Sequence, residues 1–185
     1  MNAIVSPASA AGSSNASGAP LNRPGEHARP MRAILLAGTT AATLDLAFAF
    51  SFYALTLGAS PIRILHSIAS GAFGMAAFDG GLATAAFGLF AHYFILIVAA
   101  SMYYAASTRA AVLRQRAAAC GALFGVAIFC VMHYVVLPLS AAPKFRTSTL
   151  SISSEFLMHL LLGVTIALVL RRTGAAQARG LRSSG

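Results

Sequence analysis

Four long apolar runs constrain the fold of this chain more than any other feature of its sequence. They occupy residues 33–57, 82–106, 117–139 and 151–170. About 20 apolar residues suffice for a helix to cross the roughly 30 Å hydrocarbon core of a bilayer. Only 9% of the residues are charged and 58% are hydrophobic, whereas a soluble domain has about 25% charged residues. We therefore predict an all-α, polytopic membrane protein, a four-transmembrane-helix antiparallel bundle.

The chain is predicted to have three parts: a tail at each end and a transmembrane domain between them. Residues 1–31 are rich in Ala, Ser, Gly and Pro and are predicted to be a disordered tail. They lack the charged start and apolar core of a secretory signal, and Met31, just before the first run, is a candidate start of translation. Residues 32–172 form the predicted transmembrane domain. Residues 173–185 are predicted to be a flexible basic tail.

The sequence PIRILHSIASGAFGMAAF separates the first two runs. It places Ile62, Leu65 and Ile68 at helical spacing, with Arg63 and His66 between them. This pattern predicts a short amphipathic helix between spans 1 and 2, which lies at the membrane interface or packs back against the bundle.

The formal net charge of +9 is distributed unevenly between the two sides of the predicted bundle. Ten arginines fall on the side of the termini, against three basic residues on the other side. The first group is Arg23, Arg29, Arg32, Arg109, Arg114, Arg116, Arg171, Arg172, Arg179 and Arg182, and the second is Arg63, Lys144 and Arg146. Because basic residues mark the cytoplasmic side, we expect both termini to be cytoplasmic, in a bacterial cytoplasmic (inner) membrane.

The same charge in a soluble protein would suggest a nucleic-acid partner. Here the basic residues lie between apolar runs, and the C-terminal RRTGAAQARGLRSSG has no aromatic residue on which a base could stack. We therefore expect the lipid bilayer as partner and no nucleic acid. A homodimer or a membrane partner stays open.

Four stretches carry a resemblance to known proteins: AATLDLAFAFSFYAL, PIRILHSIASGAFG with DGGLATAAFGLFAHYF, GALFGVAIFCVMHYVVLPLSAAP, and EFLMHLLLGVTIALVLRR. Together they resemble a group of uncharacterised small bacterial inner-membrane proteins and, more distantly, the YagU-like inner-membrane family. The shared features are a glycine-spaced helix, a His before a proline-leucine exit, and a Glu/His helix that ends in Arg-Arg. The resemblance covers residues 33–172 and implies a polytopic protein of the cytoplasmic membrane, but no reaction.

Five ionisable residues fall inside the apolar runs. An Asp at a helix centre costs about 2.5 to 3.5 kcal/mol on insertion scales, so Asp45 needs a partner or water. His92 lies at nearly the same depth, which predicts a hydrogen bond between the two side chains across adjacent helices. His133, Glu155 and His159 fall in the same half of the bundle, and the last two share a helix face at i, i+4 spacing.

Three interpretations of these residues stay open. We favour an intramembrane polar network with a structural role. The alternatives are a proton or ion path, as in a small coupled carrier or channel subunit, and a His-ligated metal or haem site. The sequence has no HExxH, CxxCH, Walker A, GxSxG or dinucleotide-binding motif. We therefore predict a protein that is not an enzyme and has no metal or other cofactor.

Gly121 and Gly125 form a GxxxG motif in the third run. Small residues at this spacing let two helix backbones approach closely. We predict that this glycine pair packs within the monomer, with a homodimer contact as the alternative.

Overall fold

The computed structural model describes residues 28–143 and 148–183, with side chains for 30–143 and 148–174. This part of the chain is helical and contains no strand, which confirms the predicted all-α class. The helices are α1 (Ala28–Leu57), α2 (Pro61–Phe73), α3 (Gly81–Arg109), α4 (Ala111–Gln115), α5 (Ala117–Val131), α6 (Leu137–Leu139) and α7 (Thr149–Ser183), with a 3₁₀ turn at Gly74–Phe78 and a π-helical turn at Met132–Val136.

Four helical segments are long and apolar enough to cross a bilayer. They are Pro30–Leu57, Gly81–Arg109, Ala117–Leu139 and Thr149–Gly174. The predicted four-helix membrane architecture is confirmed, and the chain is an integral membrane protein of the multi-pass type. The short helix expected between spans 1 and 2 is α2.

The first and last helices of the chain, α1 and α7, are longer than the apolar runs they contain. α1 begins at Ala28, and Pro30 is tolerated in its first turn because its missing N–H would have no partner there. The rest of the predicted disordered tail, residues 1–27, lies outside the described residues. α7 continues to Ser183 through most of the predicted flexible tail. Residues 184–185 and the loop residues 144–147 also lie outside the described part.

The third span changes its helical pitch before it ends. α5 gives way to the π-helical turn at Met132–Val136, and α6 then carries Pro138. Proline has no N–H to donate, and its ring crowds the carbonyl four residues earlier, here that of Tyr134. The wider turn relieves this crowding. The span ends at Leu139, one residue beyond the proline.

The helices pack in a definite order. α1 packs against both α3 and α7, α7 also packs against α5, and α2 packs against α3. The short α4 contacts α3, α5 and α7. We call the half of the bundle where α1 begins the termini half and the opposite half the loop half. In the loop half, the Ala141 N–H donates to the Gly71 carbonyl at 2.9 Å, which ties the segment after α6 to α2.

The buried apolar cluster lies in the termini half. It draws on the first half of α1, the second half of α3, the middle of α7 and the start of α5. Its members are Ala33, Ala37, Ala41, Ala42, Leu96, Ala99, Ala100, Tyr103, Ala117, Leu162, Ile166, Ala167 and Leu170. Most of them are alanines, which allow the backbones to approach closely in lipid, where apolar burial alone gives little driving force.

α2 buries a mixed face against the protein, with Ile64 beside two polar residues. His66, Ala69 and Ser70 are buried, whereas Ile62 and Phe73 are 46% and 48% exposed. His66 Nε2 donates to the Gly81 carbonyl at 2.8 Å, since a carbonyl can only accept. Of the apolar residues that the sequence pattern emphasised, Ile62 is exposed, whereas Leu65 and Ile68 are half-buried. The burial of His66 and Ser70 fits the gain that polar groups make from burial in protein within a bilayer.

Candidate functional site

Two His–carboxylate pairs lie in the loop half, each between neighbouring helices. Asp45 Oδ2 on α1 is 3.6 Å from His92 Nε2 on α3. Glu155 Oε2 on α7 is 3.5 Å from His133 Nε2 in the π-helical turn. Both separations are longer than a hydrogen bond between the same atoms.

The Asp45–His92 pair differs in one respect from the hydrogen bond that matched depths predict. His92 Nε2 also lies 3.2 Å from the carbonyl oxygen of Ala42, one turn before Asp45 on α1. Because that carbonyl only accepts, Nε2 carries a hydrogen and donates it to the backbone. The side chains of His92 and Asp45 are 10% and 23% exposed. The Asp45 carboxylate therefore lies beside the His92 imidazole in a largely buried position, while the imidazole hydrogen goes to the Ala42 carbonyl.

Glu155 joins three helices. The Tyr53 hydroxyl on α1 donates to Glu155 Oε1 at 2.5 Å. Oε2 faces His133 on the third span. One carboxylate of α7 therefore contacts α1 and the π-helical turn at once.

Sequence reasoning missed Tyr53, although a usable signal was present. A Tyr hydroxyl inside an apolar run needs a hydrogen-bond partner. Tyr53 lies one turn before the end of α1, and Glu155 lies in the second turn of the antiparallel α7. The matching of depths that paired Asp45 with His92 would have paired these two residues as well.

The ring of Phe129 lies between His133 and His159. Its ring stacks on His133 with a centroid distance of 4.2 Å and meets the ring of His159 edge-on at 5.5 Å. His159 Nδ1 donates to the Glu155 carbonyl one turn earlier, at 2.7 Å. His159 is thus bonded to its own helix. Tyr53, which bonds to Glu155, lies two turns beyond Asp45 on α1, and we call the two pairs together with Tyr53 and His159 the polar network.

The network continues a stripe of small residues at the contact between α5 and α7. A Cβ on Gly125 would overlap the carbonyl oxygen of His159, and one on Gly163 would overlap the backbone of Gly121 and Gly125. The structure thus places the GxxxG pair inside the monomer. On the third span the stripe runs through Gly121, Gly125, Phe129 and His133, and on α7 through Ala167, Gly163, His159 and Glu155, always four residues apart.

The predicted site residues do not form a metal centre. Among the described residues, no three His, Cys, Asp or Glu side chains come together as metal ligands would. The phenyl ring of Phe129 contacts both His133 and His159. The mixed His/carboxylate site that the sequence left open is therefore not assembled, because the histidines pair separately with carboxylates or with their own backbone.

One atom of the network has no protein partner. His133 Nδ1 is buried and makes no hydrogen bond within the described part of the chain. Nearly all buried polar atoms in proteins are hydrogen-bonded, and π-helical turns are often found at functional sites. Within the network, His133 is therefore the residue whose hydrogen-bonding capacity is least satisfied by the protein.

The fold and the site together define a four-span helical membrane protein with an ionisable network confined to one half of the bundle. Comparison with protein-family models, with curated proteins and with solved structures finds no match to this chain.

Proposed function

We propose that this chain is a small, non-enzymatic protein of the bacterial cytoplasmic membrane whose intramembrane polar network holds the loop halves of its helices together. The resemblance to small inner-membrane proteins is part of this proposal. Its termini are cytoplasmic, since ten of the basic residues outside the apolar runs fall on their side and three on the other.

The observation that carries the proposal is the extent of the network along the membrane normal. Tyr53, Glu155 and His133 lie near the loop end, and Asp45 with His92 lies near mid-depth. From there to the termini end, the contacts between the spans are dominated by the buried apolar cluster, with the hydroxyls of Thr43 and Tyr93 hydrogen-bonded between α1 and α3 at 2.9 Å. A path for protons or ions through the protein needs polar groups or water on both sides of the membrane's centre. On the termini side of Asp45 and His92, the described spans carry hydroxyl groups but no Asp, Glu or His, the side chains that form proton relays in membrane proteins.

A small proton- or ion-coupled carrier is the second candidate. It is favoured by the succession of ionisable groups from the loop end to mid-depth, and by the 22% and 30% exposure of the His133 and Glu155 side chains. A half-path of this kind serves transport when a conformational change opens the other half.

Proteoliposomes that contain a pH-sensitive dye distinguish the two candidates. Under the structural proposal, the purified protein moves no more protons than empty liposomes, and Asp45→Asn lowers the unfolding midpoint in detergent. Asp79→Asn is the matched control, because Asp79 lies in the exposed turn before α3. A flux above that of empty liposomes, lost in Asp45→Asn while the unfolding midpoint is kept, would replace the structural proposal with the carrier.

Reporter fusions test the orientation. A fluorescent protein that matures only in the cytoplasm should be bright on the C-terminus, and alkaline phosphatase, active only outside, should be inactive there. The same phosphatase inserted at the exposed Ser60, between α1 and α2, should be active. The reverse pattern would refute the cytoplasmic placement of the termini without affecting the role of the network.

A further inference from the structure

A cleft at the termini end lies outside the polar network. It has a volume of about 210 Å³ and is formed by the end of α3, the short α4 and the last part of the spanning segment of α7. Its polar lining includes Ser107, Thr108, Arg114 and Arg171. Apolar side chains, among them Leu170, line the rest. The cleft is therefore amphipathic, with two guanidinium groups from different helices.

The arginines of this cleft have no carboxylate near them in the described part of the chain. The carboxylates described are Asp45, Asp79 and Glu155, and all belong to the loop half or to mid-depth. Arg114 Nη1 donates to the Ser107 carbonyl, which uses one of the five N–H donors of its guanidinium and neutralises none of its charge. Arg114 and Arg171 are both exposed, so an anion from outside the protein can reach them.

The position of the cleft indicates which molecule. Arg171 follows directly on Leu170, one of the buried residues of the apolar cluster, so the cleft lies where a spanning helix passes from apolar core to basic end. Phosphate groups of lipids occupy this level of a membrane, and basic pockets between spans bind their headgroups. A free anion would gain nothing from the apolar part of the lining.

We propose that this cleft binds an anionic phospholipid, with Arg114 and Arg171 on the phosphate of its headgroup and the apolar side chains against the start of an acyl chain. Guanidinium groups bind phosphate through paired, charge-assisted hydrogen bonds. The proposal does not depend on the role of the Asp45–His92 network.

Native mass spectrometry of the detergent-purified full chain, titrated with phosphatidylglycerol or phosphatidylcholine, tests the proposal. The test variant is R114Q/R171Q. The control is R109Q/R172Q, which loses the same charge from neighbouring positions that do not line the cleft. We expect the wild type to prefer phosphatidylglycerol, the test variant to bind it about 30-fold more weakly, and the control to bind as the wild type does.

Two outcomes would overturn the proposal. An equal loss in both variants would mean that the lipid responds only to total charge. Displacement of phosphatidylglycerol by inorganic phosphate at an equal concentration would make this a free-anion site. If R114Q/R171Q fails to fold, R171Q against R172Q decides the question. We expect R171Q alone to weaken binding about fivefold, and equal binding by these two variants would refute the site.

Discussion

In the termini half of the bundle, α1 and α7 present Ala33, Ala37 and Ala167 to their neighbours and these side chains are buried. In the loop half the same two helices present Asp45 and Glu155, whose side chains are 23% and 30% exposed. On α1 the change occurs along a single stripe, since Ala33, Ala37, Ala41 and Asp45 are four residues apart. The same face of α1 thus makes apolar contacts in the termini half and a polar contact in the loop half.

The difference shows that the two halves of the bundle are held by different forces. Small residues in the termini half allow backbones to touch, so stability there depends on van der Waals packing. In the loop half, where Gly88 also meets the backbone of Leu65, pairing of ionisable groups between the spans adds to this packing. Substitutions should therefore be judged by volume in the first half and by hydrogen bonding and charge in the second.

The largest effect is expected where the backbones touch. Gly163→Ala places a Cβ against the backbone of Gly121 and Gly125, and such overpacking should lower the free energy of unfolding by about 3 kcal/mol. The measurement is unfolding by SDS titration from mild detergent, followed by circular dichroism. Gly174→Ala, on the same helix with open space around its Cβ, is the matched control and should leave stability unchanged or raise it slightly. Equal effects of the two substitutions would mean that the close backbone contact at Gly163 does not contribute to stability.

A double-mutant cycle on Asp45 and His92 measures the polar half directly. We expect a coupling of about 1 kcal/mol between Asp45→Asn and His92→Gln in the same SDS titration, the order found for polar contacts between membrane helices. The control cycle pairs His92→Gln with Asp79→Asn, whose sites are about 20 Å apart along the α3 axis. That cycle should be additive. A coupling of zero in the first cycle would mean that the 3.6 Å contact between Asp45 and His92 does not stabilise the protein.

The smallest effect should come from the Tyr53 hydroxyl. Tyr53→Phe removes its bond to Glu155 Oε1 and keeps the ring, so we expect a loss of about 0.6 kcal/mol. Tyr134→Phe is the control because Tyr134 is 77% exposed and should show no change. If Tyr53→Phe is as silent as Tyr134→Phe, the three-helix contact at Glu155 does not stabilise the loop half.

The number of spans and their approximate limits follow from the amino-acid sequence alone, because a bilayer demands about 20 apolar residues per helix whatever surrounds it. The depth of each ionisable residue follows as well, since a helix advances by about 1.5 Å per residue. For that reason the depths of Asp45 and His92 could be matched by counting residues along the two apolar runs.

Which helix faces meet depends on the packing of the folded bundle. Depth says nothing about the rotation of a helix about its axis or about which span is its neighbour, and both are set by packing against other helices. The contact of His92 with the Ala42 carbonyl, the place of Phe129 beside His133, and the burial of His66 and Ser70 on α2 all depend on those two quantities. The hydrophobic pattern cannot supply them, because an apolar face in a bilayer is about as stable against lipid as against protein.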